Sequence, residues 1–176
     1  MSPSPSRFNR TLAAIDGLTG IGGFLGALSL LGILVLITAE LISRNLFGYS
    51  LHFSWDLAGY LMGACFLLAS ASAMKGGSHV RVTALVEALP RAVGRLLDLF
   101  ACLVGLAICC YLAWALIEMA WQSGQRGSTA ATSFRVPLVY PQGALALGAV
   151  ILTLQCVAQI LRQLRGEPMA TGPGLE

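Results

Sequence analysis

Apolar residues gather into four long runs between charges, at 17–39, 57–74, 99–117 and 136–161. A helix needs roughly 20 residues to cross a hydrocarbon core about 30 Å thick, so each run is long enough to span a bilayer. In lipid every backbone N–H and C=O must be satisfied within the segment, which favours helices even for the glycine-rich GLTGIGGFLGALSLLG. The pattern predicts an all-α integral membrane protein with transmembrane helices at about 18–42, 57–75, 96–120 and 138–162. They form a single membrane domain over residues 1–176, and no room is left for a separate soluble domain.

The polar stretch between the second and third runs has its own periodicity. Val82, Leu85, Val86, Leu89, Val93, Leu96 and Leu97 recur at three- and four-residue intervals, while Arg81, Glu87, Arg91 and Arg95 take other faces. This predicts short amphipathic helices at about 81–95 lying in the membrane plane, with Pro90 starting the second piece. Gly76 and Gly77 read as the stop after the second span, through glycine's access to positive φ. The C-terminal tail, 166–176, is expected to be disordered.

Composition reinforces the pattern: 56% of the 176 residues are hydrophobic and 11% are charged. The first run is longer than the apolar region of a cleaved signal peptide and leads into AELISRNLF without a small-x-small cleavage site, so it is expected to be a retained helix. Eight basic residues, Arg7, Arg10, Lys75, Arg81, Arg91, Arg95, Arg162 and Arg165, fall on the side that holds both termini. Three, Arg44, Arg126 and Arg135, fall on the other, which predicts cytoplasmic termini. Trp55, Trp114, Trp121, Tyr49 and Tyr140 lie near the outer ends of their spans, where amphipathic rings favour the headgroup level.

Candidate chemistry is sparse. Glu40, Asp56 and Glu118 sit at the outer ends of the spans, and none of the four runs carries a mid-span charge of the kind a pump or coupled carrier usually needs. Glu40 precedes Arg44 by four residues, the favourable order for a helical ion pair. His79 has no second histidine or cysteine pair at ligand spacing and reads as a turn residue rather than a catalyst. Arg81 suits a lipid phosphate or a partner carboxylate. The loop WQSGQRGSTAATSFRVPLVYPQG, with Arg126 and Arg135, is long enough for an external protein to touch, and its prolines fit a helix start. The cysteines, Cys65, Cys102, Cys109, Cys110 and Cys156, fall in apolar runs without C-x-x-C spacing and are expected to be packing residues, not metal ligands or disulfides.

Taken in order, three segments resemble the small membrane subunit of tripartite ATP-independent periplasmic (TRAP) transporters, the DctQ-like family. ELISRNLFGYSLHFSWDLAGYL is similar to its Glu-x-x-x-Arg, aromatic, Trp-acid pattern, here Glu40, Arg44, Phe47, Trp55 and Asp56. GACFLLASASAMKGGSHVRVTALVEALP is similar to its small-residue second helix and Gly-x-His turn, here Gly77, His79, Val80, Val82, Leu89 and Pro90. FRVPLVYPQGALALG is similar to its Pro-x-x-Tyr opening of the fourth helix, with Pro141 directly after Tyr140.

The resemblance implies a non-catalytic scaffold with no cofactor and no transport site of its own. A large TRAP permease subunit would use the sodium gradient, and a periplasmic substrate-binding protein would deliver an organic acid in the bacterial inner membrane. Partners are then these two proteins and membrane lipids, with no nucleic acid. Contacts with them are expected from Glu40, Arg44, Trp55, Asp56, His79, Arg81, Glu118, Arg126 and Arg135. Small residues at Gly59, Gly63, Ala64, Ala69, Ser70 and Ala71 suit close helix packing. The competing reading is a self-sufficient oligomeric four-helix carrier or channel using Glu40. A membrane redox enzyme is remote, without paired cysteines, spaced histidines or a nucleotide motif.

Overall fold

A computed structural model describes residues 7–76, 91–130 and 135–165. Among the described residues there are four helices: α1 (Arg7–Phe47), α2 (Phe53–Lys75), α3 (Arg91–Arg126) and α4 (Val139–Leu164). All four are long and apolar enough to cross a membrane. At 1.5 Å per residue, the 41 residues of α1 reach about 60 Å and the 36 of α3 about 54 Å, well past a core of about 30 Å. Both helices therefore project beyond the bilayer. Residues 91–95, expected in an in-plane helix, are the opening turns of α3, continuous with the third span. Residues 77–90, with His79, Arg81 and the rest of the expected in-plane segment, lie outside the described residues, as does the tail 166–176.

Helix ends follow local chemistry. Gly127, at φ +60°, closes α3: its N–H donates to Gly124 O at 3.3 Å while Ser128 N–H donates to Ser123 O at 3.0 Å, the paired bonds of a Schellman end. Gly48, at φ +67°, follows α1. Gly76 does end α2, through its N–H to Ser72 O at 3.0 Å, but at φ −73° it makes no use of the left-handed region expected of it. Pro141 sits in the first turn of α4, where the missing N–H has no intrahelical acceptor to lose.

α4 is the centre of the bundle. It packs against α1, α2 and α3, and half of its most apolar stretch is buried. The core joins Ala64, Leu68 and Ala71 of α2 to Ile151 and Leu152 of α4, with Met74, Cys109 and Ala144 against it. Two glycine-lined crossings bring backbones together. A Cβ on Gly148 would stand 2.8 Å from Leu67 Cβ, and one on Gly26 would stand 3.0 Å from Ala69 Cβ. Without a hydrophobic force between helices in lipid, this close approach supplies the dispersion contact that holds them. α3 differs: among the described residues it packs against α4 alone, and Leu103, Ile108, Tyr111, Trp114 and Trp121 are exposed.

Candidate functional site

Asp16 lies on α1 immediately before the charge-free run, Lys75 ends α2, and Arg162 occupies the last turn of α4. The antiparallel packing brings all three to the same end of the bundle. Arg162 Nη2 donates to Asp16 Oδ2 at 2.6 Å, and Lys75 Nζ lies 3.9 Å from the same oxygen while donating to the Asp16 backbone O at 3.3 Å. One carboxylate thus serves cations from two other helices. The Asp16 side chain is 24% exposed, and its Oδ1 is buried without a hydrogen-bond partner among the described residues.

The polar contacts continue inward along one face of α4. Gln159 Nε2 donates to Met74 O at 3.2 Å, and Thr19 Oγ1 donates to Gln155 Oε1 at 2.9 Å with both side chains wholly buried. Gln155, Gln159 and Arg162 stand at i, i+4 and i+7, so a single stripe of α4 reaches α1, α2 and α1 in turn. Gln155 Nε2 has no partner among the described residues, and exchanging the amide's N and O would still leave one of the two unsatisfied. The sequence treated Asp16 merely as the edge of a run. The available signal was that three runs have opposite charges at the same membrane level.

At the other end, Glu40 is 3% exposed and turned into its own loop. Ser50 Oγ donates to Oε1 at 2.6 Å and Leu51 N–H to Oε2 at 2.5 Å, so both oxygens hold the α1–α2 connection. Glu118 accepts from Gln122 Nε2 at 2.9 Å. Among the described residues no ion pair joins Glu40, Asp56 or Glu118 to Arg44, Arg126 or Arg135. The i,i+4 pair of Glu40 and Arg44 gives way because the loop donors lie closer. Arg44, Trp55 and Arg126 are exposed and Asp56 is half-buried. Arg135 is exposed at φ +42°, strained for a side chain of its kind, beside an antiparallel bridge between Thr129 and Pro137. Ala130 N–H to Val136 O at 2.8 Å and Leu138 N–H to Ser128 O at 3.0 Å pair the two described ends of this connection.

No group of three or more His, Cys, Asp or Glu with metal-site geometry occurs among the described residues. An open groove along α1 is lined by Ala27, Leu30, Leu31, Ile33, Leu34 and Ile37, all apolar. This arrangement offers polar pins at helix ends and apolar surfaces between them.

Comparison with protein families matches residues 33–166 to the tripartite ATP-independent periplasmic transporters, DctQ component. The chain belongs to the DctQ family. Comparison with curated proteins finds no match. As a DctQ chain it is a multi-pass membrane component of a TRAP transporter, the small permease subunit, and not an enzyme. The match begins within α1, after Asp16 and Thr19, so the Asp16 cluster joins a residue outside the matched region to Lys75 and Arg162 inside it.

Proposed function

We propose that this DctQ subunit is a static scaffold: it braces the large permease subunit, which moves substrate using the sodium gradient, and helps dock the periplasmic protein that delivers an organic acid. The observation that carries this reading is the joining of α1, α2 and α4 by Asp16, Lys75 and Arg162 at one end of the bundle. A carrier needs an ionisable or polar group that changes partners during its cycle. Here the buried acid Glu40 closes a loop with both oxygens, and the most polar face of α4 is spent on interhelical bonds. The projecting ends of α1 and α3 lengthen the surface available to a larger membrane partner.

In this reading the chain sits in the inner membrane with both termini cytoplasmic, which places Arg126 and Arg135 on the periplasmic side. Coexpression with a large permease subunit should yield a stable complex, and proteoliposomes holding the small subunit alone should show no uptake. Uptake by the isolated subunit would overturn the scaffold role. Cysteine labelling from outside intact spheroplasts should reach a cysteine placed at Ser128 but not one placed at Gly166; the opposite result would reverse the topology.

A further inference from the structure

Beside the core, sulfurs from two other helices approach Cys156. Cys156 Sγ of α4 lies 3.5 Å from Met74 Sδ of α2 and 3.7 Å from Cys109 Sγ of α3. The residues flanking Cys156 fix both partners. Three positions before it, Thr153 Oγ1 shares its single proton between the Ala149 carbonyl at 2.8 Å and the Cys109 carbonyl at 3.1 Å; three positions after it, Gln159 Nε2 donates to the Met74 carbonyl at 3.2 Å. α4 therefore supplies one sulfur and holds the backbone of the residues that supply the other two.

We propose that Cys156, Cys109 and Met74 form a site for a soft monovalent metal ion, with copper(I) as its chemical type. A metal–sulfur bond of about 2.3 Å puts the sulfurs of a trigonal site about 4 Å apart, and the two distances from Cys156 Sγ, 3.5 and 3.7 Å, fall within about half an ångström of that. Two thiols and a thioether, without oxygen donors in the set, select copper(I) over magnesium, calcium or manganese. On binding, the Cys156 S–H bond breaks, its proton leaves to water and an Sγ–copper bond forms. Met74 donates a sulfur lone pair, Cys109 completes the set and copper stays monovalent. One thiolate with one monovalent ion is a neutral unit, which suits a site in apolar surroundings better than a bare thiolate does. Met74 stands next to Lys75 at the end of α2, whose side chain is 41% exposed, so the ion has a short path from the interface.

The test uses the purified full chain in detergent without oxygen, with copper(I) supplied from its bicinchoninate complex as the probe. One copper(I) per chain is expected, with a thiolate-to-copper absorption in the near ultraviolet. Cys156→Ser should weaken binding more than tenfold, whereas Cys110→Ser should leave it unchanged. Thr153→Val and Gln159→Leu, which touch no sulfur directly, should weaken it by about tenfold or more through lost orientation. Equal losses in Cys156→Ser and Cys110→Ser would reduce the result to general thiol binding and overturn the site. In the unaltered chain, copper should slow maleimide labelling of half-buried Cys109 relative to the copper-free chain and leave that of exposed Cys110 unchanged. Equal labelling of Cys109 with and without copper would overturn the proposal without any variant needing to fold.

Discussion

Arg162 Nη2 meets Asp16 Oδ2 at 2.6 Å, tying the last turn of α4 to α1 across nearly the whole length of the chain. Both side chains are about three-quarters covered, so neither charge is fully solvated if its partner is removed. Asp16→Asn keeps the shape but strips the charge that answers Arg162 and Lys75. The expected cost is about 2 kcal/mol, between the values for surface and buried pairs, read as a lower midpoint in unfolding from detergent. Arg162→Lys, with Asp16 intact, should cost less, since a single ammonium can still reach Oδ2. An unchanged midpoint in Asp16→Asn would show that the cluster does not stabilise the bundle.

Close packing makes a contrast between two glycines. Gly148→Ala places its Cβ 2.8 Å from Leu67 Cβ and 3.1 Å from the Leu67 carbonyl carbon, so α2 and α4 must separate. Overpacking of this kind typically costs about 1–3 kcal/mol. Gly59 faces open space, and Gly59→Ala should be neutral or stabilising by up to about 1 kcal/mol through helix propensity. Thermal unfolding of the two variants side by side checks both signs.

Glu40→Gln separates a loop-closing role from a transporting one. An amide oxygen can still accept from Leu51 N–H while the NH2 donates to Ser50 Oγ, so both contacts survive but lose the carboxylate's charge. Hydrogen exchange at the Leu51 amide should quicken. Uptake by the assembled transporter, corrected for the amount assembled, should keep its sodium dependence. Loss of that dependence at normal assembly would restore the carrier reading.

The connection between α3 and α4 offers a test of docking. Arg126 and Arg135 are exposed and, among the described residues, without an ion pair, a surface suited to an acidic partner. Reversing both to Glu should weaken the binding protein's affinity most at low salt, where screening is least. Arg135→Asn removes the charge but tolerates φ +42° better than arginine, so it should weaken docking without destabilising the loop. Equal affinity for the double variant at low salt would remove these residues from the interface.

Much of this was legible along the chain. Lipid admits helices as the economical way to satisfy a backbone, so four apolar runs dictated four spans, and the opening turn with Pro141 followed from the missing N–H. The order of motifs around Glu40, Trp55 and Tyr140 carried the family. Close packing was half visible: Ala64 and Ala71 are buried as expected, yet Gly59 faces open space, and glycines on other helices, Gly23, Gly26 and Gly148 among them, line the crossings with α2. Composition marks a small residue, but which side of a helix it occupies against a neighbour depends on how the helices meet.

Local sequence thus determined the solvent, the number of spans and the family, because each depends on the length or order of residues within a segment. Tertiary structure decided the partners. Glu40 turned from Arg44 to its own loop because Ser50 and Leu51 lie closer, Asp16 became the link among three helices, and Cys156 met Met74 and Cys109. In each case the deciding quantity is a distance between residues far apart in sequence or across a turn, fixed by the rotation and register of whole helices packed around α4.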